Sequence, residues 1–518
     1  MSAKGILKNT FTVGAFTALS RVLGLVREML QSRLIGAGVE QSAFTLAFAI
    51  PNMARKLFGE GALTAAFVPV FKGEVENESL EKAAKLARAV MTMVMLMLCS
   101  IVFLCVGGLE IIVKYRVELG LMDMDRLKLT IRLVKTLLPY MIFICGAAFG
   151  MGVLNALGRF KASSFMPCLL NFCWIGILAY LSFFPDMRLD QRIHRIAMAI
   201  LAAGALQMVF MLWCMAKAGV VPRLSFKGWR DEKVKLVWHN IAIAAVGAGA
   251  IQINYMLDQF LAQVASPWAA GVIGYAERLM DLPLGIIGVA FGTVLLPTFA
   301  GFFAKNDFDS ARAALSSSVN SLMFVMLPAA AGLFILAPEI TSVIYEGRAF
   351  DAISTVRVSR AVAVYATGLG FFGFQKSLVP WFQAQGDMKT PLRVSVGTVC
   401  LNATLNIIAV VTLPVEWRHV GLAASTVFCA AAGCVALIVL ARRKNGRIGL
   451  SSCMMPIVKI AIAAIAMAGV IAVLRPVVKL NAVFSLGVLI VVGGVSYCAF
   501  ALVMMPDALK KALKRRRR

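Results

Sequence analysis

A short stretch near the amino terminus places fixed charge inside a membrane-length apolar run: Ser20-Arg21-Val22-Leu23-Gly24-Leu25-Val26-Arg27-Glu28. The surrounding run, from about residue 11 to residue 36, is long enough to cross a bilayer as a helix that rises about 1.5 Å per residue. Arginine within a spanning helix costs several kcal/mol unless it faces water, a partner or a ligand. The stretch therefore predicts a spanning helix whose charged side chains face an internal cavity.

Two further apolar runs contain charge at membrane depth. One contains Arg55 and Glu60, and the other contains Glu277, Arg278 and Asp281. Arginine stays protonated in a cavity of any pH, and its planar donor fork matches the oxygens of a phosphate. We therefore predict that these runs bind an anionic head group. The alternative is a set of buried ion pairs that fix helix register, for example Arg278 with Asp281 one turn later.

Within the first run, helix geometry separates the two arginines. Glu28 lies seven positions after Arg21 and so falls on nearly the same face, whereas Arg27 lies about 120° around the helix from Arg21. One narrow stripe cannot hold both arginines. Either they flank a wide groove, or one of them pairs with a neighbouring helix.

The composition is that of a polytopic membrane protein. Of the 518 residues, 60% are hydrophobic and only 15% are charged, which is too few charges for a soluble domain of this length. The net charge of +26 comes largely from short loops between apolar runs, so it argues for membrane topology rather than nucleic-acid binding. The 11 cysteines and 3 histidines show no metal-ligand spacing, and no carboxylate pair or nucleophile–histidine set suits an enzyme.

The apolar runs predict an all-α fold with about fourteen transmembrane helices, by the criterion of about 20 apolar residues each. The second, eighth, ninth and tenth spans contain proline and are predicted to be bent or broken. The spans lie near residues 10–35, 42–71, 88–113, 129–156, 162–184, 194–216, 237–265, 268–303, 311–344, 356–385, 391–414, 419–441, 453–474 and 481–505.

Lysine and arginine are distributed unequally between alternate loops. The set that includes both termini holds about 29, and the other set holds about 12. By the positive-inside rule, both termini are therefore predicted to lie in the cytoplasm, with the basic tail at 506–518 on anionic lipid. No phosphate-binding GxxxxGK[ST] loop occurs, so any uphill transport would draw on a gradient or a partner.

An internal repeat divides the chain. Pro69-Val70-Phe71 and Pro297-Thr298-Phe299 are 228 residues apart, and residues 156–161 have the same offset from residues 384–389. Two pseudo-symmetric six-helix lobes are predicted, at 1–220 and 221–447, followed by two added helices at 448–505. An even number of helices per lobe makes the repeats parallel, as in alternating-access transporters.

Other polar residues in the spans have two interpretations each. Arg360 and Lys376 either add positive charge to the cavity or extend their charged ends towards the interface. Asp258 either contributes to a cation or proton site with Gln383 and Asp387, or it pairs with a residue such as Lys376.

The motifs resemble those of the MurJ (MviN) lipid II flippase family of the MOP superfamily. The resemblance spans the whole chain, including the two extra helices. Besides residues 20–28, it rests on Gly36-Ala37-Gly38, Pro51-Asn52, residues 55–62, Phe67-Val68-Pro69, residues 275–283 and residues 288–297.

This resemblance implies a bacterial inner-membrane exporter of lipid-linked peptidoglycan precursor, with roles in cell wall biogenesis and cell shape. The family's diphosphate-binding arginines correspond to Arg21, Arg27, Arg55 and Arg278, and a groove between the added helices would hold the polyprenyl tail. The implied gating or supporting residues are Glu28, Glu60, Glu277, Asp281, Arg360 and Lys376. The family's sodium site corresponds to Asp258, with Gln383, Asp387 and Val399 as weaker matches, and no other cofactor is implied.

The chain departs from the family pattern at two positions. Ser42 stands where the family has an acid, so either Glu40 substitutes for that acid or the gating contact is absent. Glu277 stands where the family commonly has aspartate, a conservative change. Two other functions stay open at this stage: export of a different lipid-linked oligosaccharide, and a non-transporting scaffold for cell-wall synthesis proteins.

Overall fold

The computed structural model describes residues 3–57, 63–118, 124–226, 228, 231–478 and 480–505. Every regular element in these ranges is helical, which confirms the predicted all-α fold. A chain segment within lipid has no water to satisfy its backbone, and the helix satisfies each N–H and C=O within the segment itself. Glu60 and the basic tail at 506–518 lie outside the described residues.

The first compact unit comprises residues up to Gln263 together with the segment Gly347–Phe350. Its helices pack around a core of aromatic and aliphatic side chains, in which the rings of Phe67 and Phe149 are 4.7 Å apart. Its helices are α1 (Ala3–Ile35), α2 (Val39–Ala54), α3 (Leu63–Asn77), α4 (Leu80–Glu118), α5 (Met124–Leu137), α6 (Tyr140–Ala156), α7 (Phe160–Ser182), α8 (Leu189–Lys217) and α9 (Glu232–Ala265).

The second unit comprises Val264–Glu346 and the chain from Asp351 onwards. Phe299 and Trp381 are fully buried in its core, with ring centroids 5.5 Å apart. Its helices are α10 (Ala269–Ala304), α11 (Phe308–Ile335), α12 (Ala337–Tyr345), α13 (Ala352–Gln383), α14 (Lys389–Thr412), α15 (Val415–Asn445), α16 (Ser451–Leu474) and α17 (Ala482–Met504). The lobe boundary at residue 220, drawn from the repeat, stays a prediction.

Seventeen helices correspond to fourteen spans because three spans are each built from two helices: α2 with α3, α5 with α6, and α11 with α12. Within the described residues, nine spans are long and apolar enough to cross a membrane by length and composition. The other five are α1, α2 with α3, α9, α10 and α13. These five contain all the charged candidate residues of the spans.

Four proline-containing spans were predicted to be bent or broken, and the helix bounds locate the breaks among the described residues. In the second span, α2 continues through Pro51 to Ala54, a π-helical turn follows at residues 55–57 and α3 begins at Leu63; residues 58–62 lie outside the described residues. Likewise, α10 and α13 continue through Pro283 and Pro380 without a break, so for the eighth and tenth spans only the predicted bend stays a prediction. The ninth span breaks at Leu336, not at Pro328, and an additional break divides the fourth span at residues 138–139.

Proline removes only one helix hydrogen bond, so neighbouring packing can hold the helix through it. A proline lies at or beside both observed breaks, Pro139 and Pro338, but the prolines within α10 and α13 show that proline alone does not cause a break.

Candidate functional site

Arg27 is held by α7. Its Nη1 donates to Oδ1 of Asn171 at 3.0 Å, its Nη2 donates to Oε1 of Glu28 at 2.6 Å, and its Cζ lies 4.4 Å from the ring centroid of Trp174. Only 14% of its side chain is exposed. Of the two arrangements that the sequence leaves open for this helix, Arg27 therefore adopts the one in which an arginine pairs with a neighbouring helix.

Arg21 has a different environment on the same helix. It is exposed, although it lies less than two turns before the largely buried Arg27. The angular separation calculated from helix geometry places the two side chains in these different surroundings. Arg21 is therefore accessible to a ligand at the middle of a span.

Two cationic residues directly follow α2. Residues 55–57 form a short π-helical turn, in which Arg55 is half-buried and its Nε donates to Oδ1 of Asn52 at 3.1 Å. The ammonium group of Lys56 lies 5.2 Å from the ring centroid of Tyr255 on α9. π-Turns commonly occur at functional sites. The sequence predicted a role for Arg55 but missed Lys56, whose position directly after Arg55 was the available signal.

In the second unit, α10 presents an exposed charged face. Arg278 and Asp281 are exposed together with Leu282, whereas Glu277 is half-buried and Leu279 is buried. Residues 278, 281 and 282 are spaced by three and four positions, so they share one face of the helix. This face provides a cation and an acid within a span.

On α13, Arg360 and Lys376 are both exposed. The Arg360 guanidinium lies 4.7 Å from the ring centroid of Trp417, which is itself exposed at the start of α15. A second guanidinium, that of Arg357, lies 3.9 Å from the ring centroid of Trp268 and was not predicted. Aromatic faces stabilise such cations at an interface, which agrees with the alternative that Arg360 extends towards the membrane surface.

The four proposed sodium ligands are divided between the two units. In the first unit, Asp258 is half-buried and its Oδ2 accepts a hydrogen bond from Nδ2 of Asn254 at 3.2 Å. In the second unit, Gln383, Asp387 and Val399 are each half-buried. Among the described residues, no group of three or more His, Cys, Asp or Glu side chains could hold a metal ion. The sodium site stays a prediction.

Asp387 already has cationic and neutral donors. Its Oδ2 accepts from Nζ of Lys444 at 2.8 Å and from the hydroxyl of Thr390 at 2.9 Å, and its Oδ1 accepts from the Thr390 N–H at 3.0 Å. The hydrogen bond from Lys444 is the largest cause that lowers the pKa of Asp387 to about 2. The carboxylate therefore joins the loop before α14 to the end of α15.

Acidification is expected to remove this stabilisation. Because the folded-state pKa of Asp387 is lowered, its contribution is complete above the unfolded pKa near 3.8 and is lost as the pH falls towards 2. We expect Asp387→Asn to lower the free energy of unfolding by up to about 1 kcal/mol at pH 7 and to weaken its dependence on pH between 4 and 2. Thermal unfolding in detergent over this range measures both effects. Asp309→Asn, at a carboxylate that is 94% exposed, is the matched control, and an equal change in both variants would contradict the prediction.

The position of the missing family acid retains a contact. Ser42 is fully buried, and its hydroxyl donates to Oε1 of Gln263 on α9 at 3.0 Å. Glu40 is half-buried in the first turn of α2. A neutral hydrogen bond from Ser42 thus joins α2 to α9 at the position where the family has an acid, and the substitution of that acid by Glu40 stays a prediction.

Within the described residues every regular element is helical, and many of the helices are long and apolar enough to span a membrane, which defines a polytopic membrane protein. The lipid II flippase MurJ family model matches residues 31–493. The chain therefore belongs to the lipid II flippase MurJ family. Arg21, Arg27 and Glu28 precede the matched residues.

Individual relatives agree with this family. The chain is 30% identical over 446 residues to "Lipid II flippase MurJ" of Burkholderia cenocepacia, covering 85% of this chain and 84% of that protein. It is 31% identical over 404 residues to "Probable lipid II flippase MurJ" of Rhizobium tropici, covering 78% and 75% respectively. Both relatives are covered over most of their length.

Solved structures share the fold. One of a lipid II flippase MurJ in an inward closed conformation aligns with a TM-score of 0.77 at 22% identity, covering 96% of this chain and 99% of that chain. An inward-facing multidrug MATE transporter of the MOP superfamily aligns with a TM-score of 0.68 at 15% identity, covering 83% and 96%. At these identities the likeness concerns the fold.

Proposed function

We propose that this protein moves an undecaprenyl-diphosphate-linked peptidoglycan precursor from the inner to the outer leaflet of the cytoplasmic membrane by alternating access. The observation that carries the proposal is the presence of exposed arginines within spans, Arg21 on α1 and Arg278 on α10. A diphosphate is dianionic or more, and guanidinium forks neutralise it at low dielectric. Arginine in place of acid also disfavours a cationic substrate.

The proposed roles follow from these side chains. Arg21, Arg27, Arg55 and Arg278 bind the diphosphate, and Lys56 adds a further cation beside Arg55. Glu28, Glu277 and Asp281 compete with the substrate for the arginines and thereby allow its release. Glu60, Arg360 and Lys376 retain the supporting or gating roles that the family resemblance implies.

The polyprenyl tail is proposed to stay in lipid beside α16 and α17. These two helices pack against each other, and both expose large apolar side chains, including Ile465 and Val473 on α16 and Val491 and Val495 on α17. An apolar surface of this kind suits an isoprenoid chain, because both are excluded from water. The head group alone then crosses between the leaflets.

The proposed topology places both termini in the cytoplasm, as the excess of Lys and Arg in that set of loops indicates. Membrane potential or a sodium gradient is proposed to drive the cycle, with Asp258, Gln383, Asp387 and Val399 as the candidate cation site. Cell-wall synthesis proteins are the proposed protein partners, since they produce and consume the substrate.

A reconstituted flipping assay tests the proposal. Purified protein in liposomes that contain labelled lipid II is expected to move the label between leaflets, as measured by the fraction accessible to an impermeant reagent. Liposomes without protein, and liposomes that contain Arg278→Gln, provide the controls. Preferential movement of a different undecaprenyl-diphosphate glycan would favour the other exporter, and absence of movement with every lipid would favour a scaffold.

A further inference from the structure

Trp174 lies directly against the guanidinium of Arg27. The indole is buried on α7, with only 3% of its surface exposed, and the Arg27 Cζ lies 4.4 Å from its ring centroid. A cation over a tryptophan face gains most when water is excluded, as it is at this depth. The ring therefore packs against the guanidinium and restricts the positions that it can occupy.

The indole is itself held in one orientation. Its Nε1 donates to Oε1 of Gln31 at 2.9 Å, and the Gln31 amide nitrogen donates to Oε1 of Gln41 at 2.9 Å. Because an indole N–H can only donate, Gln31 must present its oxygen to Trp174 and its nitrogen to Gln41. Gln31 and Gln41 are both buried. A continuous hydrogen-bonded path thus joins α7, α1 and α2 beside Arg27.

Aromatic rings close the other sides of the indole. Phe44 and Phe48 of α2 both meet it edge-on at an interplanar angle of 80°, with centroid distances of 5.8 Å and 5.4 Å. Such edge contacts add to the stabilisation from buried area and leave little room for another rotamer. The indole therefore cannot turn away from Arg27 without disrupting two packed rings.

Both terminal nitrogens of the Arg27 guanidinium also have hydrogen-bond acceptors. Asn171 accepts from Nη1, and its own amide nitrogen donates to the carbonyl oxygen of Ser20 at 3.1 Å, which fixes the orientation of that amide. Glu28 accepts from Nη2. An anionic oxygen that exchanges with the Glu28 carboxylate therefore meets a donor already held in place by Trp174 and Asn171.

From these contacts we infer that Trp174 is a positioning residue for diphosphate binding, acting through Arg27, with Gln31 holding the indole in register. The inference rests on the proposed function, since it assigns Arg27 to the substrate. Trp174 was not predicted from the sequence. Its spacing of three positions from Asn171 on one helix face was the available signal.

Binding of undecaprenyl diphosphate to the purified full-length protein in detergent tests the inference. We expect Trp174→Leu to raise the Kd about tenfold and Trp174→Phe, which keeps an aromatic face, to raise it about threefold. In the Arg27→Gln background, Trp174→Leu is expected to add no further loss, because the two residues act as one unit. Trp213→Leu is the matched control: its ring also lies beneath a cation, with Lys217 Nζ 3.8 Å from the centroid, and we expect an unchanged Kd.

The outcomes separate the inference from the proposed function. Equal loss on Trp174→Leu with and without Arg27→Gln would overturn the inference. If Arg278→Gln weakens binding but Arg27→Gln does not, the inference fails and the proposed function stands. If neither weakens binding, the proposed diphosphate site fails. Should Trp174→Leu not fold, Gln31→Leu takes its place in the comparison with and without Arg27→Gln. Losses of binding that add for these two substitutions would again overturn the inference.

Discussion

Arg278→Ala is expected to abolish growth of a bacterium in which this protein is the sole lipid II flippase, while protein levels in the membrane stay normal. Arg278 is exposed on α10, so it is accessible to the diphosphate, and its removal takes away a bidentate donor. Charge-assisted hydrogen bonds contribute about 1.5–3 kcal/mol each. Loss of two corresponds to a decrease of more than a hundredfold in binding. Complementation together with immunoblotting of the membrane fraction measures the result.

Three further variants help to distinguish a substrate ligand from a structural ion pair. Arg443→Ala, which removes an exposed arginine from the last turn of α15, is expected to grow normally and controls for the loss of one positive charge. Arg278→Ala combined with Asp281→Ala tests the alternative of a structural ion pair. If Arg278 only neutralises Asp281, the double variant will recover growth. Asp281→Ala alone is measured beside it, because a lack of recovery assigns Arg278 to the substrate only when Asp281→Ala by itself still grows. Recovery, or normal growth of Arg278→Ala alone, would contradict the proposed role.

The sequence predicts the spans well because the bilayer imposes one length and one composition on every spanning helix. Charge marks the functional spans for a related reason. Arg21, Arg55 and Arg278 could be predicted as candidates because a charged side chain within a spanning helix costs free energy unless it faces water, a partner or a ligand. The same reasoning cannot decide what each arginine contacts. Arg21 and Arg27 occur in one motif, yet one is exposed and the other is largely buried against α7.

The residues that the sequence missed act over long separations in the chain. Trp174 contacts Arg27 across about 150 positions, and Ser42 contacts Gln263 across about 220. Neither pair has a local pattern, because a contact between two helices depends on their packing angle and register rather than on periodicity within either one. The break at Leu336 differs, because it has a local signal that the sequence analysis did not use. Pro338 lies two residues after the break, in the first turn of α12, where proline is tolerated because the N–H that it lacks has no partner within the helix.

The turn after α1 shows how tightly such packing constrains a single position. Gly36 has φ of +78°, and a Cβ built there would lie 2.2 Å from the carbonyl oxygen of Ala349. Ala349 is not free to withdraw, because its N–H donates to the carbonyl oxygen of Arg33 at 3.1 Å and the neighbouring Phe350 is fully buried. The segment 347–350 therefore packs so closely against the end of α1 that position 36 has no space for a side chain.

Gly36→Ala is accordingly expected to destabilise the protein by about 3 kcal/mol or more. A left-handed backbone costs an L-residue about 1–2 kcal/mol, and overpacking against fixed backbone adds about 1–3 kcal/mol. Gly158→Ala separates these two costs, because Gly158 has φ of +73° but no atom within 4 Å of its built Cβ. Thermal unfolding of both purified variants in the same detergent should show a clearly larger loss for Gly36→Ala. Equal losses would mean that backbone strain alone sets the cost, and that Ala349 moves aside with little resistance.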